Sequence, residues 1–317
     1  MVRTALKCLL GVGLVVLIAA FAINYSPTVV EAVTPDVGLL GVFGQDSDGV
    51  LFVDFASLRD IEFLSNFIAD QVEGQIPGPV EEFTLQTGLD PVNDIEQIMI
   101  GRDGPEDFLV AIRASYDEDR VSDYFDGMDV MSEVYSNRTI YLPNTEDSDW
   151  AVVFADGQIL LGSEDAVRGS LDRRLAGPTA LDNPELMADI QAIEEGNQVW
   201  GVGTFSDMVP NGFAPPMATD LIAVLEHVSY QMRVDVGVSA KLAGDFTTSD
   251  TARRAGDLLR GVVALGKMGS AQQPDMIQLL DGVQVENLEN SVEISFSATQ
   301  ELIDRITESG AIPFPLN

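Results

Sequence analysis

Trp150-Ala-Val-Val-Phe-Ala-Asp156-Gly157-Gln-Ile-Leu-Leu-Gly-Ser163-Glu-Asp-Ala-Val-Arg-Gly-Ser-Leu-Asp-Arg-Arg-Leu-Ala-Gly177-Pro178 carries the fold in miniature. Two apolar runs meet at Asp156-Gly157, a pair suited to a two-residue type I′ turn, which needs positive φ at both central positions. Ser163 follows as a helix cap, with Glu164 and Asp165 in the first turn, where the helix dipole favours acids. Ala166, Val167, Ser170, Leu171 and Leu175 recur at helical spacing until Gly177-Pro178 ends the run. The unit is a strand hairpin followed by a helix, and variants of it lie on both sides.

Working toward the N-terminus, Gly49–Phe55 reads as a strand of strong β formers. Ser57 is placed to cap a helix over 58–72, and a short helix is expected over 80–88 beyond Pro77-Gly78-Pro79. The spacing then predicts strands over 95–102 and 108–115 joined at Asp103-Gly104-Pro105, and a helix over 117–125 with Val121, Tyr124 and Phe125 inward. Strands near 130–135 and 139–142 complete this half. Toward the C-terminus, Asn183-Pro184 opens a helix to about Ile193, and a strand covers 198–205. A loop over 210–216 and a helix near 217–225 precede a hairpin of 228–236 with 238–246. Ser249 caps a long helix with Ala252, Ala255, Leu258, Leu259, Val262, Val263 and Leu265 on its apolar side. A last hairpin turns at Glu289-Asn290, and Thr299 starts the closing helix.

The two halves echo each other. Residues 95–125 and 228–259 both read strand, turn, strand, acidic cap, helix, and the later hairpins end at Ser163 and Ser297, each starting a helix. The expected fold is therefore α+β, with antiparallel sheets, packed helices and a duplicated strand-hairpin-helix unit. The expected halves are 37–180 and 181–317.

Charge narrows the function. The chain of 317 residues holds 51 acidic and 17 basic side chains, a formal net charge of −34, and its only lysines are Lys7, Lys241 and Lys267. Such a surface repels nucleic acid and anionic headgroups. A solvated acidic surface is the simplest meaning; adaptation to a salty habitat and loose binding of divalent cations are the alternatives. Cys8 is the single cysteine, so no disulfide forms within one chain.

Residues 1–23 form a targeting or anchoring segment. Arg3 and Lys7 precede the apolar run 8–23, and Ala20-Phe21-Ala22 offers a small-residue cleavage site. At about 1.5 Å per residue this run falls short of a ~30 Å hydrocarbon core, which suits a signal peptide. Retained, it would be an anchor holding the body outside the cytoplasm. Residues 24–36, with Pro27 and Pro35, read as a tether.

Motifs for chemistry are weak. Gly261-Val-Val-Ala-Leu-Gly266-Lys267-Met268 approaches a phosphate-binding loop, but Met268 stands where Ser or Thr must hold a metal ion, and the run sits within the long helix. Gly201-Val-Gly203 lacks the third glycine of a dinucleotide site. Asp46-Ser47-Asp48-Gly49 lacks the twelfth-position glutamate of a calcium loop. Asp117-Glu118-Asp119 suits a helix N-terminus. His227 is the only histidine, so any histidine-based triad or zinc site would pass through it. Trp150 and Trp200 are expected to pack on the sheet. No catalytic, cofactor-binding or metal residue is assigned.

The run from Asp156-Gly157 to Val167-Arg168, then Leu171-Asp172 and Ala180-Leu181-Asp182-Asn183-Pro184, resembles a poorly characterised family of exported bacterial proteins. Val50-Leu51-Phe52-Val53-Asp54 is similar to that family's early strand. The resemblance implies one N-terminal membrane segment and an α+β body, and it carries no established activity. The expected function is that of a non-enzymatic cell-envelope protein, anchored or secreted, with a protein-interaction or structural role. The alternative is a carrier for a lipid or other apolar ligand. The expected partners are an envelope protein or that ligand, with membrane contact through residues 8–23 if uncleaved.

Overall fold

A computed structural model of the chain describes residues 38–59, 79–102, 107–128, 130–143, 149–204 and 225–308. The targeting segment, the tether, most of the helix expected over 58–72 and the loop and helix expected over 210–225 lie outside those residues, apart from the last residue of that helix. The chain divides into two compact units, one ending at Ala192 and the next opening at Ile193.

Among the described residues of the first unit seven strands form an antiparallel array: β1 (Gly49–Asp54), β2 (Ile95–Arg102), β3 (Phe108–Ala114), β4 (Val130–Tyr135), β5 (Arg138–Pro143), β6 (Trp150–Ala155) and β7 (Gln158–Ser163). Their spatial order is β1-β2-β3-β7-β6-β5-β4. The helices are α1 (Phe55–Arg59), α2 (Pro79–Thr87), α3 (Glu118–Asp126), α4 (Glu164–Leu175) and α5 (Pro184–Gln191). The second unit has β8 (Val199–Gly203), β9 (Leu225–Val234), β10 (Gly237–Phe246), β11 (Val283–Leu288) and β12 (Ser291–Thr299), in the order β8-β9-β10-β12-β11. With them go α6 (Ser249–Gly269), α7 (Pro274–Asp281) and α8 (Gln300–Glu308).

The duplication is topological. In each unit a lone strand is followed by a hairpin and a polar-capped helix, then a second hairpin whose later strand returns to pair with the first hairpin. Thus β7 lies against β3 as β12 lies against β10, with α4 leaving β7 and α8 leaving β12. At the same crossing each unit needs a residue without a side chain. A Cβ on Gly162 would stand 2.0 Å from the Phe108 carbonyl oxygen, and one on Gly237 would stand 2.4 Å from that of Ala298. Among the described residues the β4–β5 hairpin has no counterpart in the second unit.

The opening stretch folds as read. Asp156 and Gly157 take φ of 56° and 73°, the left-handed pair of a type I′ turn. Ser163 caps α4 by accepting from the Ala166 amide. Strands β6 and β7 are buried along nearly their whole length, which explains apolar runs without alternation. Beneath α3, Phe83, Tyr124, Phe125, Tyr141 and Phe154 form a chain of ring contacts with centroids 5.0–6.4 Å apart. Each fully buried large side chain contributes about 1.5–3 kcal/mol, so this cluster is a principal anchor of the unit.

Three expectations shift. Asp54, rather than Ser57, caps α1: the Ser57 amide and hydroxyl both donate to its carboxylate, at 3.1 and 2.7 Å. Thr248, extended at φ −146°, caps α6, and Ser249 is already helical. The division between units falls after Ala192 because 180–191 is tied to the first: the Ala180 amide donates to the Phe43 carbonyl, and Asn183 Nδ2 to that of Gln45. Along α6, Ala252 and Ala255 are buried with Phe246 and Val292, whereas Val262 and Leu265 are 54% and 68% exposed. Only the first turns of its apolar side meet the core.

Candidate functional site

Among the described residues, a constellation with the composition of a catalytic set lies across three strands of the second unit. Register places His227 of β9 opposite Asp245 of β10, and Asp245 opposite Ser291 of β12, where Ser291 Oγ donates to the Asp245 carboxylate. Side chains directly opposite one another share a sheet face. Histidine, aspartate and serine therefore stand in one row. A nucleophilic triad needs the imidazole between the acid and the hydroxyl, within about 3 Å of the oxygen it deprotonates. Here aspartate occupies the middle, and with strands ~4.8 Å apart the histidine and serine stations lie almost 10 Å apart. The imidazole cannot take the Ser291 proton, and the row is a cross-strand polar ladder. Sequence alone singles out His227 but not its neighbours, because Asp245 and Ser291 join it only through strand register.

The remaining motif residues occupy structural places. Residues 261–268 lie within α6, so their amides serve the helix and cannot cradle a phosphate. Gly201 and Gly203 lie in β8, with Trp200 buried beside them. Asp117 caps α3, accepting from the Asp119 and Arg120 amides. Among the described residues no three His, Cys, Asp or Glu side chains converge to hold a metal ion.

Two hollows bear on ligand binding. One, lined by Phe125, Val130, Tyr141 and Trp150, has a volume of about 10 Å³, at or below the space one water needs. The other, about 170 Å³, is a groove between α6 and β11 lined by Val263, Ala264, Val283 and Val285 with Arg260 and Lys267 at its margins. Ligand pockets ordinarily begin near 300 Å³. Both cations are already paired, Arg260 with Asp257 at 2.8 Å and Lys267 with Asp281 at 2.7 Å.

Arginines tie backbone carbonyls of neighbouring segments together. Arg59 donates to the carbonyls of Val92, Asn93 and Ile95, Arg120 to those of Leu85 and Gln86, Arg173 to that of Val42, and Arg233 to those of Glu195 and Gly196. Arg138 grips the carboxylate of the turn residue Asp156 with contacts of 2.8 Å, and Arg174 approaches it at 3.4 Å. Burial lowers the Arg174 pKa, which the Asp156 charge opposes. The Tyr116 hydroxyl, donating to the Gln158 carbonyl at 2.7 Å, is raised far above the usual phenol range, first by burial and then by Glu118. Burial likewise pushes Tyr230 up to about 12. Neither tyrosine is a poised base near neutral pH.

No family model matches the sequence, and no curated protein matches it. Two solved structures of TP0453 are similar in fold. Crystal form III superposes with a TM-score of 0.52 at 13% identity, covering 89% of this chain and 99% of that one. Crystal form I gives 0.47 at 11% identity, over 87% and 99% respectively. The first likeness shows a shared α+β architecture extending over most of the chain.

Proposed function

We propose that the protein is an exported, non-enzymatic component of the cell envelope, anchored or secreted, whose α+β body serves a structural or protein-interaction role. One observation carries the reading: arginines donate to backbone carbonyls and to a turn carboxylate, tying neighbouring segments of the body together. The order of the His227–Asp245–Ser291 row adds to it, since the aspartate and not the imidazole stands in the middle, unlike a nucleophilic triad. Export rests on the basic start and apolar run of residues 1–23. The resemblance to exported bacterial proteins with one membrane segment supports the same compartment. Among the described residues no helix is long and apolar enough to cross a membrane.

A carrier role for an apolar ligand has the groove beside α6 in its favour, but about 170 Å³ is small for a lipid. The envelope assignment is tested with the exposed Ser239 changed to Cys in a Cys8→Ser chain. A membrane-impermeant maleimide should label Ser239→Cys before the inner membrane is broken. Labelling only after complete lysis would overturn the assignment.

A further inference from the structure

Asparagine followed two places on by serine or threonine, with no proline between, is the acceptor pattern for N-linked sugar. The sequence holds it at Asn24-Tyr25-Ser26, directly after the apolar run, and at Asn137-Arg138-Thr139. The second lies among the described residues, at the tip of the β4–β5 hairpin. Ser136 and Asn137, with φ of 46° and 63°, form its two-residue turn, and asparagine tolerates this left-handed backbone better than most residues. Side chains around Asn137 fasten the turn to the body. The Tyr135 and Ser136 hydroxyls donate to the Asp172 carboxylate at 2.7 and 3.0 Å, and Arg138 donates to that of Asp156 at 2.8 Å. Asn137 and Thr139 are both exposed, and among the described residues no hydrogen bond engages the Asn137 side-chain amide or the Thr139 hydroxyl. Thr139 stands opposite Val134, which is 77% exposed, while Ile140 on the other face is buried. Turn geometry accounts for the asparagine. It asks for no hydroxyl at 139, whereas the acceptor pattern does.

We propose that Asn137 is a modification site, the acceptor for an oligosaccharide delivered outside the cytoplasm on a lipid phosphate carrier. This goes beyond the envelope reading and rests on its export half. The Asn137 Nδ2 forms a bond to the anomeric carbon of the first sugar. The bond from that carbon to the carrier's phosphate oxygen breaks, and the carrier departs as a free lipid phosphate. Nδ2 gives up one proton, and nothing is oxidised or reduced. The placement of the pattern favours this transfer. The acceptor nitrogen belongs to an exposed hairpin tip, where a large donor reaches it without entering the body. The Thr139 hydroxyl, on the open side of β5, is available to the transferring enzyme. The attached sugar adds bulk and hydration beside the exposed Val134 and displaces no buried side chain.

The test uses the full chain made in its own host, weighed after denaturation so that only covalent additions remain. The parent should exceed Thr139→Val by a whole number of sugar residues beyond the substitution itself, and fragmentation should place them on Asn137. Thr139→Val keeps a β-branched strand residue while removing the hydroxyl. Thr139→Ser, which retains a hydroxyl, should keep the added mass. Asn137→Asp, which still suits the left-handed turn, should lose it. Comparing each variant with the parent cancels any removal of residues 1–23. Export is scored in the same host by maleimide labelling of Ser239→Cys in the Cys8→Ser chain. A bare Asn137 in a chain that labels from outside overturns this proposal and leaves the envelope reading standing. A bare Asn137 with labelling only after lysis overturns both. Sugar that persists in Thr139→Val, or that maps to another residue, also overturns the assignment.

Discussion

At the scale of single residues, backbone closeness and burial make the sharpest demands. Gly162 and Gly237 serve the same crossing in the two units, and a methyl group at either would meet a carbonyl oxygen held in a ladder. Gly162→Ala and Gly237→Ala are each expected to lower stability by about 1–3 kcal/mol, read from denaturant midpoints, because backbone has to move. An unchanged midpoint would mean that the crossings are looser than the ladders require. The tyrosines set the alkaline limit. The Tyr230 phenol titrates near 12 when folded and near 10 in an unfolded chain, so folding favours its protonated form. That stability is complete below about pH 10 and is lost as pH climbs toward 12. Stability should fall between about pH 10 and 12, and less steeply in Tyr230→Phe; identical slopes would contradict the assignment.

At the scale of elements, caps and turns were the most legible features, because their chemistry is local. Asp156-Gly157, Ser163, Asp117 and Asn183 could be assigned from neighbouring residues and occupy those places. The two displaced caps show the limit of such reading. Asp54-Phe-Ala-Ser57 and Thr248-Ser249 each offer two competent oxygens, and the path of the preceding strand decides between them. Thr248→Ala should cost about 1 kcal/mol and Ser249→Ala distinctly less; the reverse order in thermal melts would restore Ser249 as the cap. Periodicity correctly marked the apolar side of α6 but could not tell how far the core extends beneath it. Val262, Leu265 and Met268 therefore remain exposed at its C-terminal end. Nor could spacing along the chain bring His227, Asp245 and Ser291 into one row, since that depends on two strand registers.

At the scale of the whole molecule, the duplicated order and the acidic excess dominate. A charge of −34 repels itself within the compact state, and counterions relieve that repulsion over a distance of about 3 Å in molar salt against ~10 Å at 0.1 M. The melting temperature should therefore rise with sodium chloride; a flat response would count against adaptation to salt. The central claim, that the body works by contact with protein and not by chemistry or carriage, is met most directly by native mass spectrometry. The full chain would be extracted from its own envelope and weighed with whatever stays bound. The account predicts assemblies whose added mass is protein, either a second copy or another chain. A reproducible added mass of lipid size on a single chain would contradict it.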